Sequence, residues 1–408
     1  MNRVLWLMLA LAACSPAASP APVVSPAPVV AAPAPQAPPP AADAPTPAEQ
    51  AAAARLTAGT IDAPLRYLSD DLLDGRLPGT RGSDLAIRYI AAEMEAMGLR
   101  PGATDGDAPS WFQKVPLVGV RSHVPATETF ASTTSPASRL SLPIGTDLIV
   151  GSGVQQPKVS LDAPDIVFVG YGIVAPEYQW DDYKNVDVKG KIVLVMNDDP
   201  SSDPNLFEGK TRLWYGRWDY KYLQAAKHGA VAAIIIHTTP SAGYPWQVVV
   251  SSWAASSEHF GLPATPGDAR VLAQMWGTED ACRKIARLGG KDLDALRAEA
   301  EKREFVPVPL GVRTSLSFTN DVRTIESANV IGVLPGSDAS LAKEAVVYSA
   351  HHDHLGNHAP DKPAAAKGAA PVDTIYNGAI DNASGVATLL AIARASALSE
   401  PTKRTRVF

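Results

Sequence analysis

The sequence predicts an α/β protein in which a smaller α/β unit interrupts a larger one. Two observations predict this. From about residue 140 onward, the apolar runs Asp165–Gly172, Lys191–Met196 and Ala230–Ile236 read as strands, and a helix carrying Tyr222, Ala225 and Ala226 lies between the last two. Further on, Ala345–Ala350 is apolar apart from Tyr348 and Ser349, the composition of a strand in a sheet covered on both faces. A length of 408 residues leaves room for two or three domains, and 46% hydrophobic residues rule out disorder throughout. The net charge of −6 argues against a nucleic-acid partner, which selects for a basic face. Two cysteines make no disulfide framework, so Cys282 is expected to be a buried, inert thiol.

Taken in order, the chain begins with Arg3 and the apolar run Val4–Ala13, too short to span a bilayer and suited to a signal peptide. Leu11-Ala12-Ala13-Cys14 resembles the bacterial lipobox, which implies export and a lipid on Cys14 as the mature N-terminus; an ordinary cleavage near Ala13 is the alternative. Ser15 after Cys14 leans towards the outer membrane, facing the periplasm, or the cell surface. Ser15–Gln50 holds 12 Pro and 12 Ala and no aromatic residue, so it cannot bury a core and reads as an extended spacer. Anchor and spacer together would tether the folded part to a membrane.

Residues 51–139 open the larger unit and are mostly helical up to Leu99. Leu65, Leu68, Leu72 and Leu73 share one face. The turn-rich Asp74–Gly82 follows, and Ser83 or Asp84 is placed to cap a helix carrying Ile87, Ile90, Met94 and Met97, stopped by Gly98. The smaller unit is assigned to residues 140–303 and closes with a polar helix over Lys284–Arg303. Trp214, Trp218 and Tyr220 are expected to pack within it, the alternative being a substrate rim. Residues 304–408 return to the larger unit through a strand at Asn329–Leu334, a Pro335-Gly336 turn and the strand Ala345–Ala350. A helix over Gly385–Leu398 comes next. Arg404–Phe408 then opens a strand and the sequence stops, as in a C-terminally shortened chain.

Chemistry concentrates where Ala345–Ala350 ends, in His351-His352-Asp353-His354. Sites in open α/β sheets lie at the carboxyl ends of strands. Extended backbone has a period of two, so His351 and Asp353 should point one way and His352 and His354 the other. A metal-bound imidazole usually gives its second N–H to a carboxylate, which suits His351 with Asp353. The second element is Tyr376–Gly385, where Asp381 stands just before a helix. Alone, Asp381 reads equally as a helix cap and as a ligand. His123, His228, His237 and His259 receive no ligand role.

Together, the order strand, His-x-Asp, loop, Asp-Asn-Ala-Ser-Gly, helix resembles the di-zinc aminopeptidases of metallopeptidase family twenty-eight. Asp74–Gly82 resembles that family's N-terminal segment, and Asn329–Gly336 the strand before its ligand strand. Residues 140–303 resemble an inserted protease-associated domain. The resemblance implies a three-layer αβα sandwich that removes N-terminal residues from peptides. It implies that His351 binds one zinc ion, Asp381 bridges two, and Asp353 orients His351. It also implies a Glu-Glu pair after the next strand, supplying the general base, then an Asp and a His. None of these follows Phe408, so this chain alone is expected to be inactive and the full-length protein active. The alternatives are a carboxypeptidase or glutaminyl cyclase on the same fold, and a non-catalytic, surface-anchored binding protein.

Overall fold

A computed structural model of the chain describes residues 45–134, 138–253, 258–357 and 373–408. Cys14, with its expected lipid, and His358 lie outside the described residues. The spacer expected to stay extended to Gln50 turns helical before its end. Thr46 Oγ1 accepts from Glu49 N at 3.2 Å and Glu49 Oε2 accepts from Thr46 N at 2.7 Å, a capping box that starts the helix Pro47–Ala53 with Pro at its first position.

Two helices follow, α1 (Ala58–Leu68) and α2 (Arg81–Ala96). The cap of α2 is Thr80, not Ser83 or Asp84. Thr80 is still extended, with φ −109°; its Oγ1 accepts from Ser83 N at 3.4 Å and donates to Leu77 O at 2.7 Å. Ser83 is already inside the first turn and buried. Between the helices the chain reverses through Asp74, Gly75 and Arg76, all at positive φ (49°, 68° and 52°).

The smaller unit is built on an eight-stranded sheet. Its centre is four parallel strands, Asp165–Phe168, Ile192–Met196, Ala232–His237 and Ala273–Thr278. Alternate residues feed two cores: Phe168, Leu194, Ile234 and Met275 on one face, Val167, Val193, Ile235 and Trp276 on the other. Burial on both faces is why these strands read as unbroken apolar runs. The sheet reaches past both expected bounds, 140 and 303, because Thr127–Ser132 and Val308–Thr314 pair into it antiparallel. Both alternate buried with more exposed positions, so neither carries an apolar run. The single helix expected over Lys284–Arg303 is two, Glu279–Leu288 and Leu293–Ala300, parted at Gly289-Gly290. Cys282 is buried and free, as expected.

Helix α3 (Trp246–Trp253) also belongs to this unit. Next to it runs an antiparallel ribbon of β1 (Phe112–His123), β2 (His259–Gly261) and β3 (Leu316–Val330). β3 pairs with β1 from Thr319↔His123 to Val330↔Phe112, and β2 adds to the other edge of β1. The strand expected at Asn329–Leu334 is therefore two pieces. β3 ends at Val330, and Gly332–Leu334 begins a different sheet.

That sheet carries the candidate site. Its order is Arg100–Pro101, Gly332–Leu334, Thr405–Val407, Ala345–Val347. The last two are β5 (Thr405–Val407) and β4 (Ala345–Val347), parallel in the register Thr405↔Ala345, as the C-terminal strand reading anticipates. Helix α4 (Ser384–Ala397) packs with α1 and α2 in a third core of Leu68, Ile90, Met94, Val386, Leu390 and Phe408. β4 departs from expectation twice. It ends at Val347 rather than Ala350, and Val346 and Val347 are 44% and 66% exposed instead of buried. Apolar composition marks a strand able to be covered; among the described residues no layer covers this one.

Candidate functional site

The site forms where the chain leaves β4 and where it enters α4. His351 Nε2 lies 3.0 Å from Asp381 Oδ1, and His351 Nδ1 lies 3.3 Å from Asp353 Oδ1 and 3.1 Å from Asp353 O. The three predicted side chains thus meet, with His351 between two carboxylates. His352 points away as alternation predicts, its Nε2 3.1 Å from Ala328 O on β3. His354 does not. Its Nδ1 is 4.0 Å from Asp381 Oδ2, on the side of His351. The backbone is no longer a strand beyond Val347, so the period of two has lapsed there. Burial holds His354 below the usual imidazole range, with the Asp381 charge opposing.

The choice between cap and ligand at Asp381 resolves through its neighbour. Asn382 Oδ1 accepts from Gly385 N at 3.2 Å and so ties down the helix start, leaving the Asp381 side chain 69% exposed and turned to the histidines. Asn382 Nδ2 also donates to His351 O at 3.3 Å, joining the two loops.

Arg76, within the turn-rich Asp74–Gly82, is the residue that sequence reasoning underrates. The residue is 1% exposed, and its guanidinium donates to four backbone carbonyls: Leu68, His352 (2.8 Å), Asn377 (2.7 Å) and Gly378 (3.0 Å). One buried cation thereby holds both ligand loops to the end of α1. Burial pulls the Arg76 guanidinium below its ordinary value, and the charges of Asp353 and Asp381 oppose that shift. Gly75 makes the approach possible. At φ +68° a Cβ there would sit 2.4 Å from Gly356 O. An arginine between glycines in a turn was the available signal.

Among the described residues, no cluster of three or more His, Cys, Asp or Glu is arranged to hold a metal ion. The donor pair His351 Nε2 and Asp381 Oδ1 nevertheless fits two ligands of one zinc-sized ion. Bonds of about 2.0–2.2 Å at a tetrahedral angle place donors roughly 3.3–3.6 Å apart; these stand at 3.0 Å, a hydrogen-bond distance, and would open by a few tenths of an ångström to take an ion.

Residues 329–408 match the model of Peptidase family M28 and residues 157–265 match that of the PA domain. The chain thus carries a segment of the M28 peptidase family with a protease-associated domain ahead of it, and the family resemblance read from the sequence is borne out. No curated protein matches the chain. Among solved structures it is similar to an aminopeptidase from Aneurinibacillus sp. strain AM-1, at 20% identity and a TM-score of 0.43, covering 88% of this chain and 64% of that one. A peptidase M28 precursor from Shewanella amazonensis SB2B matches at 19% identity and a TM-score of 0.41, covering 88% and 65%. BSAP, a zinc aminopeptidase from Bacillus subtilis, matches at 18% identity and a TM-score of 0.33, covering 86% and 60%. The chain spans less than two thirds of the length of these structures.

Proposed function

We propose that this chain supplies one half of the metal site of a zinc-dependent exopeptidase that releases N-terminal residues from peptides. The observation that carries the reading is His351 held between Asp353 and Asp381 inside the segment that matches Peptidase family M28. Asp353 takes the Nδ1–H of His351, which fixes the tautomer and leaves the Nε2 lone pair facing Asp381. His351 and Asp381 would hold one zinc ion, and Asp381 would be shared with a second. Bound zinc would supply Lewis acidity towards the scissile carbonyl and lower the pKa of water. Arg76 keeps the two ligand loops in register by their carbonyls, so the donors are set before any ion arrives. Asp353, Asp381 and Arg76 together leave the site close to one net negative charge, suited to a divalent cation.

The test is metal content. With zinc supplied, elemental analysis of the protein should show bound zinc, and Asp381→Ala or His351→Ala should lower it at least tenfold at limiting metal. Full occupancy in Asp381→Ala would remove Asp381 from the site.

A further inference from the structure

The inserted unit carries a pocket of its own, about 340 Å³ in volume, at the small end of the range for ligand sites. It opens between the start of the helix Trp218–Lys227 and the loop that leads into the strand Ala273–Thr278. Trp218, Asp219 and Leu223 line it from the helix, Asp268 and Arg270 from the loop, and Gln274 from the strand. It shares no lining residue with the space in front of His351 and Asp381. We propose that this pocket binds a neutral saccharide, with Trp218 as the surface for a sugar ring and Asp219, Arg270 and Gln274 as partners for its hydroxyl groups.

The polar groups of the pocket have bonding capacity left over. The Gln274 amide makes no hydrogen bond among the described residues. Arg270 uses only Nη2, on Asp268 Oδ2 at 3.3 Å. Asp219 accepts from Arg217 Nε at 3.4 Å and Tyr220 N at 3.2 Å on the same oxygen, Oδ1, which leaves Oδ2 for a ligand. Charge is balanced as well, because Arg217 pairs with Asp219 and Arg270 with Asp268. A phosphate or carboxylate would need surplus positive charge, and an organic cation would need surplus negative charge or an aromatic cage. A hydroxyl group donates and accepts at once, so it can use donors and acceptors set side by side. The aromatic surface is held in place: Trp218 stands edge-on to Trp253 at 5.2 Å and to Tyr222 at 6.2 Å. A sugar ring has an apolar C–H face to lay on such a ring and a polar rim to turn to the side chains. An extended peptide would instead need a free strand edge. The strand bearing Gln274 is paired on both sides, with Gln274 opposite Ala233 and Gly151.

Saturation-transfer NMR of the full-length protein with cellobiose and with N,N′-diacetylchitobiose tests this directly. At least one of the two should receive transfer, strongest at its ring C–H protons. Gln274→Ala and Arg270→Met should each weaken its binding about tenfold, the scale of one hydrogen bond. Trp218→Ala should abolish it. Should Trp218→Ala fold poorly, since Trp218 also packs on Trp253, the two polar variants carry the same readout. Transfer to neither saccharide would overturn the proposal, as would binding that the folded polar variants leave unchanged. Blocked tetraglycine or inorganic phosphate bound more tightly than both saccharides, with the same sensitivity to the variants, would also overturn it. Bound zinc should stay at the wild-type level in all three variants, so the saccharide site and the exopeptidase reading stand or fall separately.

Discussion

At Arg76 one guanidinium reaches across 276 positions of sequence to the carbonyl of His352 and binds the loop before α4 as well. Hydrogen bonds to a charged group contribute about 1.5–3 kcal/mol each, so the site's geometry depends on a residue that holds the ligand loops by their backbone. His259 shows the opposite case, a titratable group held neutral. Its ring lies 4.9 Å from that of Trp253, and burial lowers its pKa from 6.5 to about 4. The unfolded chain takes up this proton near pH 6.5 and the folded chain only near pH 4, so unfolding gains protons in that window and stability falls as the pH drops through it. The loss should reach up to about 3 kcal/mol below pH 4, at 1.36 kcal/mol per pKa unit. Urea melts of wild type and His259→Phe at pH 7, 5.5 and 4.5 should converge less steeply with acid in the variant. Equal acid sensitivity would mean that His259 is solvated.

Among the elements, helix α2 depends on its cap. Thr80→Ala removes the acceptor for Ser83 N and should cost about 1 kcal/mol, seen as a lower urea midpoint at an unchanged slope. Ser83→Ala should cost less, since Ser83 makes no cap bond. The apolar repeat of this helix was legible because Ile90 and Met94 do face the core. Its cap was not, because Thr80, Ser83 and Asp84 all suit that role and only backbone angle selects among them. Strands divide the same way. Ile192–Met196 and Ala232–His237 are buried on both faces and announce themselves, whereas Thr127–Ser132 and Val308–Thr314 bury only alternate residues and do not. In the site, His351, Asp353 and Asp381 were legible because they follow the apolar run Ala345–Ala350 or precede the apolar repeat of α4. His354 was not, since its place beside Asp381 is fixed by the loop after β4 rather than by spacing.

Across the whole molecule, β3 joins the inserted unit to the site. Its Arg323 grips Glu258, part of the inserted unit's wall that faces His351 and Asp381 across a cleft, and its Ala328 carbonyl meets His352 beside the ligands. Both lie on one continuously paired stretch of β1 and β3, where Gly119 faces Arg323 and Lys114 faces Ala328. The five intervening steps, at roughly 3.3 Å each, set a span of about 17 Å. The ribbon is therefore a ruler, and the gap between wall and ligands is graduated in residues. Adding two residues to each strand between those pairs would lengthen it by about 7 Å and keep every side chain on its face. Such a protein should bind zinc as before, and the distance between spin labels on the inserted unit and beside the ligand loops should grow by about 7 Å; an unchanged distance would mean that the ribbon does not set the gap. Adding one residue to each would turn the wall over instead, a change of face rather than of width. Lengthening or shortening two paired strands would thus change the width of the cleft and leave the metal ligands untouched.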